Sequence, residues 1–138
     1  MKKENLFGYV PAIATPFNKK GEIMEDAFVD LFEFLIERGA TCVCIAGDNG
    51  ESWSLSAEER GRLVRVAKDT SRGRVPIMMG ISAPTIDASL SYIRAAEENG
   101  ADVLLSMPQT YVLKASDAEL MARFDKVSEA TNKPLVLY

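Results

Sequence analysis

The chain contains no histidine, so His-based triads and His general bases are closed to it, and acid–base chemistry must come from Tyr, Lys, Asp or Glu. One run stands out against that background, Gly47-Asp48-Asn49-Gly50-Glu51. Two glycines around two polar residues can turn successive backbone N–H groups toward one point, a nest for an anion such as a carboxylate. The same run also reads as a tight turn in which an Asx side chain holds its own backbone. Cys42 and Cys44 lie two apart in an apolar run, which puts both on one face of a strand. Adjacent same-face cysteines on one strand rarely meet disulfide geometry, and a metal site would need further ligands nearby. They are expected as small buried residues of a core strand.

An alternation of strand and helix must position these residues. Segments 10–14, 42–46, 76–80, 103–106 and 135–138 are short and nearly continuous apolar runs, as suits parallel strands buried on both faces. The stretches between them have helical spacing. Phe28, Leu31, Phe32, Leu35 and Ile36 mark one apolar face, and Leu63, Val66 and Ala67 a second. Ile86, Leu90, Ile93 and Ala96 mark a third, and Leu120, Phe124 and Val127 a fourth. Ser56 with Glu59, and Ser116 with Glu119, read as capping boxes. Gly39 and Gly100 sit where helix C-caps belong, each followed by Ala and then a strand. These joints recur about sixty residues apart, so one strand–helix unit takes roughly thirty, and eight units approach the ~250 residues of a (β/α)8 TIM barrel. An open doubly wound sheet is the alternative, but no G-x-G-x-x-G follows the first strand and the even unit length favours the barrel.

The fold class read here is therefore α/β, the N-terminal half of a (β/α)8 barrel with about four and a half units and parallel strands. At 138 residues and 47% hydrophobic, the chain is expected to form one half-barrel domain over 1–138, ending part-way through the pattern. In a barrel the chemistry sits at the C-terminal strand ends. That rule selects Thr15-Pro16-Phe17, the 47–52 loop, Gly80-Ile81-Ser82, Pro108-Gln109-Thr110-Tyr111 and Tyr138. The net charge of −4 argues against nucleic acid, whose affinity rests on cations neutralising phosphates. No window approaches the ~18 apolar residues of a membrane helix. Met1-Lys2-Lys3 is followed by Glu4-Asn5 rather than by an apolar signal segment, so a cytoplasmic protein is expected.

Four stretches then take on meaning together: Thr15-Pro16-Phe17, Gly47-x-x-Gly50-Glu51, Leu55-Ser56-x-Glu58-Glu59 and the closing Leu137-Tyr138. In order and spacing, over essentially the whole chain, they resemble the N-terminal half of the dihydrodipicolinate synthase / N-acetylneuraminate lyase family. These are class I aldolases acting on pyruvate and other 2-oxo acids. The resemblance implies a Schiff base between the substrate ketone and a Lys at the end of strand six, an electron sink for making or breaking a C–C bond. It assigns the substrate carboxylate to Gly47, Asp48 and Asn49, and proton relay to Tyr138, whose phenol can both donate and accept. It makes Tyr111 a candidate subunit-interface aromatic, and it implies neither metal nor organic cofactor.

The strand-six Lys is not present in this chain; Lys114, Lys126 and Lys133 fall on the fourth helix or its flanks. The chain alone is expected to be an inactive lyase half, or a non-catalytic half-barrel that persists by self-association. Asp48-Asn49 stand where relatives often carry two hydroxyl residues, and a carboxylate at 48 repels a substrate carboxylate unless it is protonated or turned away. Three structural expectations follow. Gly50 should take a conformation that other residues resist, with Glu51 bonded to backbone or neighbouring side chains. Ile13, Ile45 and Met79, or their alternates, should line the inner face. Open sheet edges should drive assembly of a homo-oligomer, at least a dimer.

Overall fold

A computed structural model describes residues 8–108 and 115–138. Four helices and four strands alternate: α1 Glu25–Glu37, β1 Val43–Ile45, α2 Ala57–Ser71, β2 Ile77–Gly80, α3 Ile86–Glu98, β3 Val103–Ser106, α4 Asp117–Glu129 and β4 Leu135–Leu137. The strands form one sheet in chain order, β1-β2-β3-β4, and every pair is parallel.

Local chemistry sets the element ends. Ser56 Oγ accepts the Glu59 N–H at 3.2 Å, and the Glu59 carboxylate accepts the Ser56 N–H at 2.8 Å. Ser116 and Glu119 repeat this reciprocal cap on α4. Gly39 and Gly100 have φ of +88° and +84°, a region in which a Cβ is disfavoured. Beyond them Ala40 N–H reaches Leu35 O, and Ala101 N–H reaches Ala96 O, so α1 and α3 both close with a Schellman motif.

Side-chain alternation along the strands separates two apolar layers. Val43, Ile45, Ile77, Met79 and Leu104 pack with Phe28, Phe32, Leu63, Ala67, Ile93, Ala96 and Val127, so all four helices cover one face of the sheet. Each fully buried Val, Leu, Ile, Phe or Met side chain among these contributes roughly 1.5–3 kcal/mol. The other face holds Cys42, Cys44, Met78 and Val103, flanked by Val10, Leu105 and Val136. The inner face is thus built by the alternates; Ile13, Ile45 and Met79 belong to the helix side. Both cysteines are buried free thiols, as expected. At the entry end of the strands, the Asp102 carboxylate accepts the Ile77 N–H at 2.8 Å and pairs with Lys68 Nζ at 3.0 Å.

Segment 10–14 departs from expectation. It is not a strand but an isolated parallel bridge, Ala12 to Cys44, carried by Cys44 N–H to Pro11 O and Ile13 N–H to Cys44 O. Pro11 has no N–H to continue a ladder. The segment still lies beside β1 on the side opposite β2, where a first barrel strand belongs.

Candidate functional site

At the exit from β1 the backbone reverses sharply. Ala46 has φ +52°, Gly47 is extended, Asp48–Gly50 form one turn of 3-10 helix, Glu51 has φ +55°, and Ser52–Ser54 form a second turn. The left-handed positions are therefore Ala46 and Glu51, not Gly50. Glycine at 50 answers a different constraint: a Cβ there would stand 2.8 Å from the Ile13 carbonyl oxygen, because the 10–14 segment passes directly against it. Thr15 Oγ1 donates to Gly50 O at 2.8 Å and fixes the turn from that side. Glu51 bonds through its main chain, donating to Asp48 O and accepting from Ser54 Oγ. Its carboxylate has no hydrogen-bond partner among the described residues, contrary to expectation.

A cavity of about 470 Å³ opens at this end of the sheet. Gly47, Asp48, Asn49 and Tyr138 all line it, above apolar walls from Val10, Ala12, Cys44, Met78, Leu105, Met107 and Val136. Residues far beyond Gly47 in the chain, such as Leu105 and Tyr138, reach it because parallel strands deliver all their exits to one end. Tyr138 is held by its N–H to Ser106 O at 3.0 Å, and the residue as a whole is 83% exposed. Ser52 Oγ lies 3.5 Å from Asp48 Oδ1, the outer limit of a hydrogen bond, so one Asp48 oxygen is turned toward the loop's own second turn. The main-chain N–H groups of Asp48 and Asn49 donate to no acceptor among the described residues, as expected for the first positions of a helical turn. Cys44 borders the cavity as a neutral thiol, pushed up to about 12 by burial and then by Cys42. Tyr111 lies outside the described residues, as does Lys114. Lys126 is exposed on α4 and Lys133 half-buried before β4, and neither lines the cavity.

Sequence reasoning missed Arg60. Its side chain is 1% exposed, and its guanidinium donates to Leu55 O at 3.3 Å, to Gly80 O at 2.7 Å and to Ser52 O. The guanidinium carbon stands 3.8 Å from the Tyr92 ring centroid. No carboxylate pairs with it among the described residues, and burial pushes its pKa down. A signal was present: position 60 falls on the same helical face as Leu63, Val64 and Ala67, where a charge is out of place.

Residues 5–138 match the model of the dihydrodipicolinate synthetase family. The chain belongs to that family. Among dihydrodipicolinate synthetase relatives, the 4-hydroxy-tetrahydrodipicolinate synthase of Salinibacter ruber is 35% identical over 139 residues, covering 100% of this chain and 46% of the relative. The chain thus spans about half the length of the curated relatives it matches. YagE of E. coli K12, a prophage protein of the same family solved in complex with pyruvate, superposes with a TM-score of 0.89 at 28% identity, over 96% of this chain and 44% of that one. The dihydrodipicolinate synthase of Acinetobacter baumannii, also solved with pyruvate, gives 0.89 at 30% identity over 95% and 45%. The sheet described above is accordingly the N-terminal half of this family's barrel. Among the described residues, no helix is long and apolar enough to cross a membrane.

Proposed function

We propose that this chain supplies the 2-oxo acid carboxylate site and the proton-relaying phenol of a Schiff-base-forming lyase or aldolase, acting in the cytoplasm on pyruvate or a similar acid. The carrying observation is that residues 47–49 and Tyr138 line one cavity at the exit end of parallel strands. Gly47 and the free N–H groups of Asp48 and Asn49 receive the carboxylate, with the Asn49 amide as a further donor. Tyr138 serves as the proton relay. The pyruvate complexes of two relatives support the substrate class. The Schiff-base lysine must come from outside these residues, since the cavity lining holds none. Neither nucleic acid nor membrane enters this reading, and no cofactor is required beyond the lysine.

One observation favours a second reading. The lining lacks a lysine, while Leu137 at the end of β4 and Tyr138 just after it are 54% and 83% exposed. A non-catalytic half-barrel, 1–138 as one domain, would cover that edge by pairing with another copy as a homo-oligomer, at least a dimer. Borohydride reduction with pyruvate separates the arms. The first reading expects no adduct on this chain alone, and pyruvate-dependent amide shifts at Gly47 and Asn49. A covalent adduct on this chain would overturn the external-lysine assignment. Absence of any pyruvate shift, with a dimer by light scattering at micromolar concentration, would favour the second.

A further inference from the structure

We infer that Arg60 is the positioning residue of the 47–49 loop: seated on Tyr92, it ties the loop's second turn to the end of β2 through main-chain carbonyls and so sets how residues 47–49 face the cavity. The inference rests on the reading of that loop as the ligand-holding element. Three carbonyls from two distant stretches of chain converge on one guanidinium: Ser52 and Leu55, which open and close the second turn, and Gly80 at the end of β2. The guanidinium is planar and its donors form a rigid fork, so the three acceptors are held at fixed mutual angles. An ammonium group offers a compact point charge on a flexible stem and cannot impose that arrangement.

Filling space does not account for an arginine here. Its neighbours on the same face of α2, Leu63, Val64 and Ala67, pack against the sheet as aliphatic groups. Burying an unpaired cation is costly, and a hydrophobic residue of similar volume is often at least as stable at such a site. What an aliphatic side chain cannot do is bind the Ser52, Leu55 and Gly80 carbonyls together. The loop is thereby held at Gly50 O by Thr15 and at Ser52 O by Arg60, both directly after Asp48 and Asn49 in the chain. Ser52 itself reaches Asp48 through the 3.5 Å contact, so a shift of the second turn is passed to the residue that faces the cavity.

The test uses the 15N-labelled 138-residue chain with Arg60→Lys, Arg60→Met and Tyr92→Leu, and Val127→Ala as a control lesion in the buried face of α4. The expected result is that the Arg60 and Tyr92 variants displace the amide resonances of Asp48, Asn49 and Gly50 and weaken pyruvate binding about tenfold or more, as misplacement of a binding group does. Val127→Ala should lower the thermal midpoint comparably while leaving both readouts unchanged. If the Arg60 variants fail to fold, Tyr92→Leu decides on the same comparison. Amide shifts at 48–50 no larger than those in Val127→Ala overturn the inference. If the unmodified chain shows no pyruvate-dependent shift, the carboxylate reading falls, and the ligand-free positions of those amides still decide the role of Arg60.

Discussion

Gly80 and Ala46 meet backbone to backbone: a Cβ built on Gly80 would stand 2.0 Å from the Ala46 carbonyl oxygen. The chain leaves β1 through Ala46 at φ +52°, and this reversal lays its peptide over the last residue of β2. Any side chain at 80 must push that peptide away. Gly80→Ala is therefore expected to lower stability by about 3 kcal/mol, as overpacking against unyielding backbone does. It should also shift the Gly47 amide. Urea unfolding measures the first effect, and a loss under ~0.5 kcal/mol would show that the contact yields freely.

Thr15→Val keeps the shape of the side chain and removes the donor to Gly50 O. Leaving that buried carbonyl unpaired is expected to cost about 1–3 kcal/mol, whereas Thr15→Ser should retain most of the stability. Hydrogen exchange adds a local check: the Gly50 and Glu51 amides, which close the first turn, should exchange faster in the valine variant. Equal midpoints for the valine and serine variants would assign the threonine a packing role alone.

Burial pushes the Cys42 thiol up to about 11, with the Asp102 charge adding to it, and the Cys44 thiol to about 12, with Cys42 adding. Unfolded thiols ionise near ~8.5. Between those values the folded state keeps protons that the unfolded state gives up. The thiols' contribution is therefore complete below about pH 8.5 and is lost as pH rises through the folded values. Stability should fall by up to ~1.4 kcal/mol per pH unit for each thiol in that window. Denaturant midpoints taken from about pH 8 to 10.5 should decline more steeply in the natural chain than in the Cys42→Ala/Cys44→Ala variant. Parallel slopes would mean that the thiols are not held neutral by the fold.

What was readable in the sequence is what depends on near neighbours along the chain. The reciprocal caps at Ser56 and Ser116 are spelled out within four residues, as are the paired glycine joints at Gly39 and Gly100. Strand exits in a parallel sheet share one end, so the meeting of residues 47–49 with Tyr138 at one cavity also follows from order alone. Other features depend on contacts between distant segments. Gly50 looks like a turn glycine until the Ile13 carbonyl is placed against it, 37 positions earlier in the chain. Segment 10–14 has strand composition, but Pro11 withholds a donor and only a bridge forms. Arg60 reads as a surface charge unless its helical face is weighed against its type. The Ser52 contact that turns one Asp48 oxygen along the loop is a matter of rotamer, which composition does not encode.

The supports of the 47–52 loop share a chemical property: Thr15 and Arg60 both grip main-chain oxygens, those of Gly50, Ser52, Leu55 and Gly80. Carbonyls are the same whatever side chains accompany them. Asp48 and Asn49 are exposed, and neither supplies a side chain to those grips. Their identities can be rewritten while the frame that presents them stays as it is. The loop is thus a frame with two exchangeable side chains, and the chemistry it presents to the cavity can change without the fold having to be rebuilt around it.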